Sequence, residues 1–221
     1  MSNQGATDVP DKPTQDLFLL VSLLLLILMH PVLAQGRWPR LLLGILTFVP
    51  LIVATIRLAH RRDLIWPLVL LIASAMACAI GAFTSGSSTL FIIQWAILTI
   101  AFGLAVVGLF SYLQKATAIT AGHLYTAASV YLLLALAFFA LYTTLAAVHP
   151  DAFQKTAAGP TRHSVDLLYF SLVTLTTVGY GDIVAVREEV RLIAGLEAAT
   201  GVLYVAITVA VLVSGYKARG R

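Results

Sequence analysis

One string, Thr176-Thr177-Val178-Gly179-Tyr180-Gly181-Asp182, has the residue types and spacing for chemistry done by the main chain. A row of carbonyls directed into a narrow passage requires the backbone to alternate between ordinary and φ > 0 conformations, which glycine adopts without steric cost. Gly179 and Gly181 have that every-other spacing. Between them Val178 and Tyr180 turn their side chains outward, where packing behind the carbonyls sets the diameter, and Thr177 adds a hydroxyl at the inner end. Stacked oxygen rings of this kind replace the hydration shell of a bare monovalent cation. A ring needs several copies of the strand, so one strand per chain makes an oligomer obligatory.

Such a strand has to be carried by rigid elements. Ser164-Val165-Asp166 opens a run, Leu167 to Thr176, that is apolar but too short to span a bilayer, with Ser164 suited to an N-cap and Asp166 to a first helical turn. A helix that enters the membrane and stops there must have its carbonyl end shielded by protein or aimed at a water-filled cavity, and its negative end favours a cation. Around this segment lie six apolar stretches, Leu17–Ala34, Leu41–Leu58, Leu64–Phe83, Leu90–Tyr112, Leu124–Val148 and Val190–Gly215. Each is long enough to cross about 30 Å of hydrocarbon.

Composition agrees. Of 221 residues 60% are hydrophobic and 11% charged, and mean hydropathy is +0.94. Charged side chains are too few to coat one soluble core of this size, which excludes a soluble enzyme or a nucleic-acid binder. The net charge of +4 is scattered over short loops, so it reports topology and not a nucleic-acid surface. Residues 1–16 read as a disordered cytoplasmic tail. Val32-Leu33-Ala34 before Gln35 has the form of a signal-cleavage site, but the acidic leader is unlike a signal peptide, so the first span is expected to be retained.

Thr177-Val178-Gly179-Tyr180-Gly181-Asp182, after a short helix and between two spans, resembles the selectivity filter of tetrameric potassium channels, and the resemblance is strongest from Leu124 to Tyr216. It implies potassium bound at Thr177, Val178, Gly179 and Tyr180, with Gly181 completing the filter. Thr176, Asp182 and Tyr169 would support the filter, Asp182 being held by Tyr169, and Tyr169-Phe170-Ser171 takes the place of the family's aromatic pair and serine. Gly201 matches the inner-helix bending point. Val202, Val205, Val209 and Val213 face the cavity in the family's register, where rings of valine narrow and dewet a pore, although a lipid- or neighbour-facing stripe would look similar. The whole chain is similar to a compact bacterial-type channel subunit without cytosolic modules.

The fold expected is therefore an all-α membrane protein with six transmembrane helices, a re-entrant pore helix and a filter, assembled as a homotetramer. Residues 17–115 form a four-helix sensor-like domain lacking gating arginines, since Leu90–Tyr112 contains no Arg or Lys, and residues 116–221 form the pore domain. The function expected is passive, potassium-selective conduction without an arginine-based voltage sensor; the chain is not an enzyme and needs no cofactor beyond the permeant ion. Alternatives are a subunit of a potassium-uptake transporter, whose relatives carry four pore loops in one longer chain, and a Gly-x-Gly-Asp intramembrane aspartyl protease. The protease needs a second facing carboxylate, for which only Asp166 and Glu197 are at hand.

With the amino terminus taken as cytoplasmic, the basic residues agree with both termini lying inside, and the resemblance implies a bacterial inner membrane. Partners are membrane lipid and further copies of the chain, with anionic lipid a possible contact of the inner basic residues Arg57, Arg61, Arg62, Lys217, Arg219 and Arg221. Glu197, an ionisable group in a spanning helix, is expected beside the pore helix within reach of Thr174, Ser171 or Tyr169, where it would support the filter and make it proton-sensitive. The five histidines have no metal-ligand spacing.

Overall fold

A computed structural model describes residues 13–34, 37–59, 62–114, 120–156 and 163–217. The order of elements is α1 (Pro13–Leu33), α2 (Arg37–Arg57), α3 (Arg62–Ser85), α4 (Ser88–Gln114), α5 (Ala121–Val148), β1 (Phe153–Lys155), α6 (His163–Leu175), β2 (Ile183–Ala185) and α7 (Glu188–Lys217). The helices follow the apolar runs because backbone groups in hydrocarbon must bond within their own segment. Between α3 and α4 the chain reverses at Gly86, whose φ of 66° and N–H to the Ala82 carbonyl (2.9 Å) close the helix in a left-handed cap.

The chain is a helical membrane protein whose described strands are the short pair β1 and β2. Among the described residues five helices (α1, α3, α4, α5 and α7) are long and apolar enough to cross a bilayer. The helices α1 to α5 and α7 stand where the six spans are expected, and the described side chains of α2 give it an apolar stretch of Leu42–Arg57. α5 is the hub: α1 and α4 pack along it from one half of the chain, α6 and α7 from the other. The core is correspondingly apolar, with Leu98, Phe102 and Leu109 of α4 and Leu133 and Leu136 of α5 buried.

Two expectations change near the amino terminus. The proposed tail of residues 1–16 overlaps α1, which begins at Pro13, and Asp16 is fully buried. The reason is an ion pair. Arg57, at the last turn of α2, donates from Nε to Asp16 Oδ1 (2.5 Å) and from a terminal nitrogen to Oδ2 (2.9 Å). It donates also to the Tyr112 hydroxyl of α4 (3.0 Å), with the guanidinium 5.0 Å from that ring's centroid. Arg57 is thus buried and taken by protein, so it is not a lipid contact. The side chains of Arg61, Arg62, Lys217, Arg219 and Arg221 lie outside the described residues, as do residues 1–12 of the tail.

A buried pair costs desolvation on both ions, and removing one partner strands the other. Asp16→Ala should lower unfolding stability in detergent micelles by about 3–5 kcal/mol. The double variant Asp16→Leu, Arg57→Met, which removes both charges, should lose much less; equal losses would show that the pairing itself contributes nothing.

Candidate functional site

α6 ends inside the fold, and its last turn accounts for its own carbonyls. The Val178 N–H donates to the Val173 carbonyl (2.9 Å) and the Thr177 N–H to the Thr174 carbonyl (2.9 Å). These are the two bonds of a Schellman cap, whose C′ residue must be left-handed. That residue is Thr177, with φ 60°, the one positive-φ non-glycine among the described residues. Thr176 donates its N–H (3.1 Å) and its hydroxyl (2.7 Å) to the Leu172 carbonyl. The Gly179 N–H also reaches the Val173 carbonyl (3.2 Å), and the Tyr131 hydroxyl of α5 donates to the Leu175 carbonyl (3.2 Å).

From the cap onward the left-handed positions recur at every second residue: Thr177 (60°), Gly179 (52°) and Gly181 (77°). The two glycines sit where the alternation demands them. The threonine is a third such position that its residue type concealed, since a β-branched side chain with φ > 0 is strained and is found only where surroundings over-determine it. Residues 176–181 lie on the outside of the protomer, with Val178 52% and Tyr180 71% exposed. Among the described residues nothing covers the outer face of this strand.

Its back is held at several points. The Tyr180 ring stacks on the Tyr169 ring of α6, centroids 6.4 Å apart and planes within 6°, and the Tyr169 hydroxyl hydrogen-bonds the Asp182 carboxylate. Beyond Asp182, β2 pairs antiparallel with β1, Phe153 opposite Ala185 and Lys155 opposite Ile183. Thr156 extends the pairing, its N–H donating to the Asp182 carbonyl (2.9 Å) and its hydroxyl lying 2.9 Å from the Asp182 carbonyl and 3.1 Å from that of Gly181. The segment after His149 thus supplies a strand that grips the outer end of the string. Short strands in a proline- and glycine-rich stretch give no periodic signal. Phe153 anchors β1 edge-on between Tyr142 of α5 (5.6 Å) and Phe170 of α6 (5.3 Å).

Glu197 of α7 is fully buried beside α6. Of the expected partners, Ser171 meets it, Oγ to Oε1 at 2.6 Å; Tyr169 is committed to Asp182 instead. Its second partner, the Tyr142 hydroxyl donating to Oε2 at 2.6 Å, comes from α5, whose lateral position relative to α7 no spacing reveals. Gly201 is buried against the end of α6, where an added Cβ would collide with the Leu175 backbone oxygen, while α7 runs unbroken from Glu188 to Lys217. The close approach is itself a reason for glycine there. Val202, Val205, Val209 and Val213 are about half exposed, on faces of α7 turned from its buried stripe of Val190, Glu197, Gly201, Tyr204 and Thr208.

The carboxylates do not pair with one another. Asp166 takes the Lys155 ammonium (3.2 Å), Asp182 takes Tyr169, and Glu197 takes Ser171 and Tyr142, so the two-acid site of a protease is not assembled among them. Among the described residues no group of three or more His, Cys, Asp or Glu is arranged to hold a metal.

Residues 126–216, spanning α5 to α7, match the family model described as an ion channel. A curated relative, two pore potassium channel c of Oryza sativa subsp. japonica, is 44% identical over 57 residues, which is 26% of this chain and 12% of the relative. The chain therefore covers about an eighth of that relative's length. No solved structure matches. The ion-channel match thus falls on the segment from α5 to α7 of a helical membrane protein.

Gly201→Ala should wedge α7 from α6 and lower unfolding stability in micelles by about 1–3 kcal/mol, the usual range for overpacking. Gly103→Ala in α4, where a Cβ meets nothing within 4 Å, is the matched control and should be neutral or slightly stabilising.

Proposed function

We propose that the chain is a potassium-selective channel subunit that conducts passively, as a homotetramer around an axis lined by Thr177, Val178, Gly179, Tyr180 and Gly181. The observation that carries this reading is the alternation of left-handed backbone at Thr177, Gly179 and Gly181, on a strand exposed on the protomer at the end of a helix that stops mid-fold. An uncovered polar strand at membrane depth is tolerable only against further protein or a water-filled cavity, and four copies supply both. The ion-channel match over residues 126–216 and the identity with a two pore potassium channel support the same reading.

In this reading K+ binds at Thr177, Val178, Gly179 and Tyr180, with Thr176, Asp182, Tyr169 and Glu197 as supports. The exposed valines of α7, Val202, Val205, Val209 and Val213, line or narrow the inner cavity, and Gly201 serves as contact and hinge. Both termini lie in the cytoplasm of a bacterial inner membrane, with the inner basic residues other than Arg57 near anionic headgroups.

Liposome flux assays test it. Purified protein should pass K+ in preference to Na+ by an order of magnitude or more, with block by barium. Gly179→Ala, which forces a side chain onto a backbone with φ 52° at about 1–2 kcal/mol per strand, should abolish selective flux while leaving the helices intact by circular dichroism. Equal K+ and Na+ permeation through the native protein would refute the proposal.

α4 carries no Arg or Lys between Ser88 and Gln114. Each gating charge would contribute about 2.3 kcal/mol per 100 mV, so tail currents measured over a wide voltage range should show a shallow dependence without steep, saturating activation.

A further inference from the structure

Behind α6 three oxygen–oxygen contacts form a continuous line across three helices. The Tyr142 hydroxyl of α5 is 2.6 Å from Glu197 Oε2, Glu197 Oε1 is 2.6 Å from Ser171 Oγ, and Ser171 Oγ is 2.8 Å from the Ala135 carbonyl oxygen of α5. Each separation is that of a hydrogen bond, and each needs one hydrogen between its oxygens. Tyr142 brings one hydrogen and Ser171 one, while the Ala135 carbonyl brings none. With Glu197 ionised, the count is two hydrogens for three contacts, and one pair of oxygens faces across a bare gap. With Glu197 protonated on Oε1 the count closes. Tyr142 donates to Oε2, the carboxyl donates to Ser171, and Ser171 donates onward to Ala135.

We propose that Glu197 is a neutral carboxylic acid that donates a hydrogen bond to Ser171, making a one-directional chain, Tyr142 to Glu197 to Ser171 to Ala135, that fixes the pore helix between the outer and inner helices. The surroundings agree. Glu197, Ser171 and Tyr142 are each fully buried. Among the described residues, the basic side chains in ion pairs take Asp16, Asp166, Asp151 and Glu189, and none takes Glu197. A carboxylate without a counter-ion at such a depth is far costlier than the neutral acid. The groups facing Glu197 are a phenol from α5 and a hydroxyl from α6, and the second phenol nearby, Tyr131, is occupied with the Leu175 carbonyl. Glu197 is thus a positioning residue: it acts on the strand through Ser171 and α6. The inference rests on the channel reading for its consequence in conduction, but not for the protonation state itself.

Infrared difference spectroscopy on the reconstituted protein at neutral pH, native minus Glu197→Gln, reads that state directly. The expected result is the carbonyl stretch of a protonated carboxylic acid, shifted down in D2O. Carboxylate bands in its place would overturn the proposal. Should Glu197→Gln fail to fold, native minus Ser171→Ala serves: loss of the acceptor should move the acid band to higher frequency, and a spectrum with only carboxylate changes would overturn it. In flux assays Glu197→Gln, which keeps a donor toward Ser171 and an acceptor toward Tyr142, should stay within about threefold of native K+ flux, whereas Glu197→Leu should fall roughly tenfold or more. Equal losses in both would refute the positioning role. An acid band in a protein that passes no K+ supports this inference and refutes the channel reading; carboxylate bands in a K+-conducting protein do the reverse.

Discussion

A helix that stops partway through a bilayer leaves its last four carbonyls with no partner in the helix and no bulk water to turn to. The segment from α5 to α7 is organised around that constraint. Leu172, Val173, Thr174 and Leu175 would be the orphaned acceptors of α6, and each is supplied. Thr176 serves the first, Val178 and Gly179 the second, Thr177 the third and Tyr131 of the neighbouring helix the fourth. Four of these five donor residues belong to the strand that follows. The conformation of the strand and the termination of the helix are therefore one structure: Thr177 must be left-handed for the cap to close, and that same turn starts the alternation carried on by Gly179 and Gly181.

A strained start needs support at the far end, or the strand would relax toward ordinary φ values. A left-handed threonine costs about 1–2 kcal/mol relative to glycine, comparable to one or two net hydrogen bonds. The support is spread along the string: ring stacking at Tyr180, a side-chain hydrogen bond at Asp182, a short antiparallel pair beyond it, and an aromatic trio of Tyr142, Phe153 and Phe170 beneath that pair. Tyr142 belongs to both systems, since its ring packs in the trio and its hydroxyl reaches Glu197. Packing behind the outer end of the string and hydrogen bonding behind α6 thus share one side chain of α5.

What could be read from the sequence follows from which interactions are local. Apolar runs gave the helices to within a few residues because hydrocarbon leaves the backbone no other choice. The glycine spacing at 179 and 181 announced its own geometry, and Tyr169 was placed against Asp182 from the resemblance. Thr177 was hidden because its conformation is imposed by a cap and not by residue type. Asp16 looked like part of a polar tail; its burial depends on Arg57, 41 positions away, and separation of that order carries no periodic mark. The same holds for β1 with β2 and for Tyr142 with Glu197, while the glycine at 201 was visible but the carbonyl it makes room for was not.

The four helices before α5 are best understood through what joins them to it. α1 and α4 both pack along α5, so this half of the chain meets the half that carries α6 and α7 over long apolar faces. At one end the contact is also polar. Arg57 spans Asp16 of α1 and Tyr112 of α4, and the Tyr112 ring lies flat on His123 at 5.3 Å, within the first turn of α5, where His123 Nδ1 accepts the Thr120 N–H (3.2 Å). A membrane field does work only on net charge displaced through it. Arg57 and Asp16 together carry none, and separating them would expose two buried ions at several kcal/mol each. The Asp16–Arg57 pair is thus a neutral joint that ties α1, α2 and α4 to the start of α5. Physically that makes the four-helix half a brace for α5, whose other side carries α6 and the strand.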